Sequence, residues 1–146
     1  MLRSILIGLV AGQRAMTPLA LVAGAARRGT LPGDAPALLR HPAVAAGAVA
    51  LAAAEMAGDK MPSAPDRTVL PGLAARTLTS AFAGAALAPK EQRRTAAALA
   101  VAAALASSYA GLALRKRAMR RYGQTATGFV EDAALVGSGL AIVGVR

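Results

Sequence analysis

The chain has no cysteine and no tryptophan, one histidine, and only two tyrosines and two phenylalanines in 146 residues. Without cysteine there is no disulfide framework, no thiol nucleophile and no thiolate zinc site. With His41 as the sole histidine, a transition-metal centre would rest on carboxylates alone, and none is expected. Acidic residues are scarce as well. Seven Asp and Glu stand against 17 Lys and Arg, a formal net charge of +10. No Gly-rich phosphate loop and no Gly-x-Ser-x-Gly elbow occurs. These gaps argue against an enzyme of the standard kinds and call for no cofactor.

What remains is small and apolar. Hydrophobic residues make up 55% of the chain and charged ones 16%, with 40 alanines, 15 glycines and a mean hydropathy of +0.48. Disorder needs low hydrophobicity, and the composition argues against it. A soluble domain of this composition would have to hide its apolar surface under very little polar covering.

The charges gather into clusters that leave five apolar stretches, at about 4–26, 42–58, 69–88, 95–114 and 128–145. Spanning a bilayer core takes about 20 helical residues, and the fourth stretch supplies them without a charge. The others reach that length by admitting one or two ionisable residues. None alternates as a strand does, and Ala, Leu and Val suit helix. Turn formers connect the stretches, as in Pro62-Ser-Ala-Pro-Asp66. Arg3 with its apolar run imitates a signal peptide, but Gln13-Arg14 interrupts it and four more stretches follow. A soluble bundle needs a polar stripe on each surface helix, which the second and fourth stretches lack. The expected fold is therefore all-α: one polytopic membrane domain over residues 1–146 with about five transmembrane helices.

Five crossings would place eight basic residues on the N-terminal face and seven on the other, which leaves orientation open. The run Arg115, Lys116, Arg117, Arg120 and Arg121 tilts the N-terminal face towards the cytoplasm. It is expected to draw anionic lipid headgroups. It lacks interleaved aromatics and abuts an apolar span, so nucleic acid is not an expected partner.

The ionisable residues inside the stretches carry the functional information, because they are costly in lipid and pair or line wet cavities. Arg14, Glu55, Arg76, Glu131 and Asp132 all fall near the midplane or in one half of the presumed membrane, at the depth of Ser107, Ser108 and Tyr109. Glu55 and Asp59 share a helix face. One shared polar pocket follows. Its members are Arg14, Arg76, Glu55, Glu131 and Asp132, joined by Thr17, Thr79 and Tyr109. The expected pairs are Arg14–Glu55 and Arg76–Glu131. They either fix the bundle or bind a solute. Arg14-Ala-Met-Thr17 is echoed by Arg76-Thr-Leu-Thr79, the mark of a candidate parallel repeat of helical hairpins.

Gly12-Gln-Arg14-Ala-Met-Thr-Pro18, Glu55-Met-Ala-Gly-Asp59-Lys60-Met-Pro62 with Asp66, Arg76 and Glu131-Asp132 together resemble a family of small bacterial membrane proteins. That family is catalogued as domain of unknown function four-one-two-six. The resemblance implies a multi-pass protein of the bacterial cytoplasmic membrane and brings no activity. The loop motif is Asp59, Lys60, Pro62 and Asp66, and a lipid-headgroup enzyme would in its best form use Asp59, Lys60 and Asp66. Two functions compete. One is a transporter or channel-like protein whose Arg14 and Arg76 hold an anionic solute or headgroup while Glu55 and Glu131 exchange protons. The other is a scaffold or partner subunit whose charges lock the bundle. A chain this small would form its pathway more readily as a homo-oligomer.

Overall fold

The computed structural model describes residues 1–32, 35–61, 63 and 68–144. Among them all regular structure is helical: α1 (Leu2–Gln13), α2 (Thr17–Arg27), α3 (Pro42–Gly58), α4 (Leu70–Ala86), α5 (Arg93–Tyr122) and α6 (Gln124–Gly144), with short 3₁₀ turns at Ala37–Arg40 and Lys90–Gln92.

The stretch expected as one helix over 4–26 is two. Arg14 leaves α1 in an extended conformation (φ −140°, ψ 112°), and α2 opens with Pro18 in its first turn. The physical reason is local: inside a continuous helix Pro18 would lack its N–H and press on the Arg14 carbonyl. Contacts along the chain fix the directions. Ser4 donates to the Gly84 carbonyl at 3.0 Å and Arg76 to the Gly12 carbonyl at 3.1 Å, so α1 and α4 run antiparallel. Gly8 faces Ala100 and Gly12 faces Ala104, so α1 and α5 run together. Arg3 meets α6 at Ile142 and Val143, and Arg14 meets it at Asp132, whereas Leu21 packs back on Gly139. The chain climbs in α1, turns over residues 14–16 and descends in α2. This hairpin brings the N-terminus and the loop after α2 to one end of the molecule. The opposite end carries the turn after α3 and the junction of α5 with α6. Arg3 therefore lies away from the basic run, not beside it as five simple crossings required.

The echo between Arg14 and Arg76 does not extend to backbone. Arg14 stands in the break, Arg76 inside α4, and of the two arms α1 and α2 it is α2 that runs the same way as α4. Pro71, like Pro18, sits in the first turn of its helix. His41 caps α3, its Nδ1 accepting from Ala43 N at 3.2 Å.

Packing is by small residues. A Cβ on Gly8 or Gly12 would run into the Ala100 carbonyl or into Ser107 and the Ala104 carbonyl, so α1 and α5 approach as closely as glycine allows. Buried alanines fill most of the core, with Ile7, Val10, Leu21, Val22, Leu39, Leu87 and Val143. Large apolar side chains lie outside: Leu70, Leu78, Leu114, Phe129 and Val130 are all exposed. Two segments, Lys90–Tyr122 and Gln124–Gly144, are long and apolar enough to cross a membrane. At 30 residues, α5 extends about 45 Å. The α1 and α2 arms, of 12 and 11 residues, are too short to cross alone.

Candidate functional site

The break between α1 and α2 exposes backbone groups that a continuous helix would pair internally, and ionic side chains from four other helices converge on it. The α1 carbonyl end is met by α4 and α5: Gly12 O accepts from Arg76 Nε at 3.1 Å and from Ser108 Oγ at 3.0 Å. The α2 amide end is met by α3: Glu55 Oε1 accepts from Ala15 N at 2.7 Å and Oε2 from Met16 N at 2.8 Å. Each open end thus takes the charge that complements its dipole, a cation on the carbonyls and an anion on the amides.

The side chain of Arg14 points from the turn into the bundle and is 1% exposed. Its Nε and Nη2 donate to Asp132 Oδ1 at 2.9 and 2.7 Å, and its Nη1 lies 2.6 Å from Asp59 Oδ2. Asp132 Oδ2 receives Lys60 Nζ, which stands over the Phe129 ring at 4.7 Å. Asp59 Oδ2 receives Arg115 as well, and Arg115 Nη1 reaches Glu131 Oε2 at 3.2 Å. Arg76 Nη2 lies 3.9 Å from Glu55 Oε1. Among the described residues, four cations (Arg14, Lys60, Arg76, Arg115) and four carboxylates (Glu55, Asp59, Glu131, Asp132) gather in this network.

The five ionic residues expected in the pocket, Arg14, Glu55, Arg76, Glu131 and Asp132, are brought together, with different partners. Arg14 pairs with Asp132 and Asp59, not Glu55; Glu131 pairs with Arg115, not Arg76. Both acids of the Glu131-Asp132 pair are engaged, each on a different base. Arg115, expected at lipid headgroups, is buried in the network, whereas Lys116, Arg117, Arg120 and Arg121 are exposed. Tyr109, expected in the pocket, is 59% exposed and outside it. Thr79 is buried and donates to the Arg76 carbonyl one turn back. Thr17 is buried at the start of α2, and its hydroxyl has no hydrogen-bond partner. Asp59 and Lys60 of the loop motif belong to the network; Pro62 and Asp66 lie outside the described residues.

Arg115 and the Ala15 and Met16 amides escaped the sequence reading. A signal for Arg115 exists: it shares a helix face with Ala104, Ser108 and Gly111, which line the seam towards α1. Beside the network a groove of about 640 Å³ opens between α5 and α6. Apolar residues, among them Leu114, Val130 and Leu135, wall it, and Gln13, Arg115 and Glu131 also line it. Among the described residues no three His, Cys, Asp or Glu gather to hold a metal ion.

Compared with family models, curated proteins and solved structures, the chain matches none.

Proposed function

We propose that this is a multi-pass protein of a bacterial cytoplasmic membrane that binds and transfers a small anionic solute or headgroup at the break between α1 and α2. The observation that supports this reading is the inverted distribution of side chains. Arg14, Arg76 and Arg115 are buried, while Leu70, Leu78 and Val130 are exposed. Water would reward the opposite arrangement; lipid rewards this one, because apolar surface costs nothing there and charges must pair inside. A helix broken in the bundle, with its termini turned onto ionic groups, is also how many transporters build a site at membrane depth.

In this reading the α1–α2 hairpin dips into the bilayer and returns, and α3 to α6 cross it. Arg3, Arg27, Arg28, Arg40, Lys90, Arg93 and Arg94 then share the end opposite the network. Set against the exposed Lys116, Arg117, Arg120 and Arg121 at the network end, the positive-inside bias favours that end, with the start of α1 and the end of α6, on the cytoplasmic side. Arg14 anchors the hairpin tip, and Arg76 and the α2 amides form the anion-facing part. The family resemblance carried by Glu55-Met-Ala-Gly-Asp59-Lys60 is compatible with this placement.

Reconstituted into proteoliposomes, the wild type should carry radiolabelled or dye-reported anions, and Glu55→Gln should change that flux while the protein still inserts. A flux equal to that of empty liposomes across a panel of inorganic and organic anions would end the transport reading.

One observation favours a second reading, a scaffold or partner subunit. Every guanidinium nitrogen of Arg14 is already engaged by Asp132, Asp59 or the Gln13 carbonyl, which suits a lock more than a ligand site. A scaffold would recover its folded yield when Arg14 and Asp132 are exchanged for one another. It would move no solute in either form.

A further inference from the structure

We infer that the N-terminus of α2 is a carboxylate site whose resident occupant is the Glu55 side chain, and that a free short-chain carboxylate takes that place. The inference rests on the transport reading above for its purpose, but the binding follows from the geometry of the break.

Glu55 belongs to α3, and its salt bridge to Arg76 is long, at 3.9 Å. Its two oxygens sit on two successive amides, Ala15 N at 2.7 Å and Met16 N at 2.8 Å. That is the way a helix N-terminus receives a bound anion. The fork selects for shape. Two parallel N–H groups each satisfied by a separate oxygen fit a planar carboxylate, whereas a halide would have to divide one centre between them. Charge selects as well: among the described residues the other six ionic groups of the network, Arg14, Lys60, Arg115, Asp59, Glu131 and Asp132, are three of each sign. One free carboxylate replacing one tethered carboxylate leaves that balance unchanged.

A second observation is independent of the helix end. Thr17, the first residue of α2, buries a hydroxyl that has no hydrogen-bond partner, although its residue is 3% exposed. An orphaned buried hydroxyl is costly and rare. Thr17 follows Met16, whose amide Glu55 holds, and in this inference a free carboxylate seated there supplies the acceptor that the hydroxyl lacks. Glu55 itself is not sealed in. Its side chain is 21% exposed, so it has somewhere to swing when displaced.

The test uses the full-length protein in detergent, with sodium formate and sodium acetate as probes and sodium chloride at equal ionic strength as control. Glu55→Ala empties the cradle. Its Tm should rise saturably with formate or acetate, at a half-effect concentration about tenfold below that of the wild type, the factor set by losing a tethered competitor for two charge-assisted hydrogen bonds. Glu55→Gln keeps the shape without the charge and serves if the alanine variant does not fold. Formate should then protect the Ala15 and Met16 amides from hydrogen exchange. If formate does no better than chloride on Glu55→Ala, or leaves those amides unprotected in Glu55→Gln, the inference falls. Formate flux in wild-type proteoliposomes separates the two claims. Flux without Glu55-dependent binding overturns this site alone, and binding gained in Glu55→Ala with no flux supports the site and overturns transport.

Discussion

Arg14 and Asp132, 118 positions apart in the chain, are joined through two guanidinium nitrogens on a single carboxylate oxygen, at 2.9 and 2.7 Å. The contact fastens the tip of the α1–α2 hairpin to α6, and the free Asp132 oxygen holds Lys60. Removing one partner of a buried pair leaves the other uncompensated, and this pair is the most buried of the ion pairs among the described residues.

Arg14→Ala should therefore cost about 3–5 kcal/mol of stability. Asp132→Asn should cost less, because Asp59 still faces Arg14. A double-mutant cycle over the two positions should give a coupling energy of about 0.5–3 kcal/mol, read from unfolding in mixed micelles. Additive losses would mean that the two side chains do not interact in the folded protein.

Within the basic run, Arg115→Ala and Arg117→Ala should separate. Arg115 is buried against Asp59 and Glu131, so its loss should reduce folded yield several-fold. Arg117 is exposed, and its removal should shift stability by no more than about 0.5 kcal/mol. Vesicle flotation gives the reverse order: binding to anionic liposomes should weaken with Arg117→Ala combined with Arg120→Ala and Arg121→Ala. Equal behaviour of Arg115→Ala and Arg117→Ala in thermal unfolding would remove Arg115 from the network.

Glycine substitutions should divide by contact. Gly12→Val drives a branched side chain into the Ser107 hydroxyl and the Ala104 carbonyl, and the α1–α5 seam should open with loss of the folded state. Gly47, inside α3, has nothing within 4 Å of a Cβ. Gly47→Ala should stabilise by about 0.5–1 kcal/mol, because alanine loses less backbone freedom in a helix. A calorimetric scan of the two variants beside the wild type decides it, and a neutral Gly12→Val would refute the close seam.

Thr17→Val keeps the side-chain shape and removes the orphaned hydroxyl. Stability should rise by about 1 kcal/mol, the desolvation penalty no longer incurred. If the hydroxyl serves a bound carboxylate, the same variant should lose formate-induced stabilisation in the Glu55→Ala background. Thermal shift with and without formate measures both effects, and a destabilised Thr17→Val would show that the hydroxyl already has a partner.

Much of this was legible from residue order. Apolar stretches between charge clusters mark α3 to α6, and proline in the first turn marks the starts of α3 and α4. The same signal at Pro18 marks the start of α2, but Gly12-Gln-Arg-Ala-Met16 holds no strong breaker apart from Gly12, so the run reads as one helix. Counting residues along helices also placed Arg14, Glu55, Arg76, Glu131 and Asp132 at one depth, because the rise per residue is constant. Depth alone, however, says nothing about rotation about the axis.

By itself, the sequence determined that the chain is helical, that its charges lie within apolar segments, and that those charges fall at a common level. These follow from composition and from the fixed geometry of a helix. Which base meets which acid, that Arg115 turns inward while Arg117 faces out, and that the chain folds back on itself at the break before Pro18 were decided by tertiary structure. An open helix end persists only where distant groups satisfy it. Here Glu55, Arg76 and Ser108 do so, from 39 to 96 positions away.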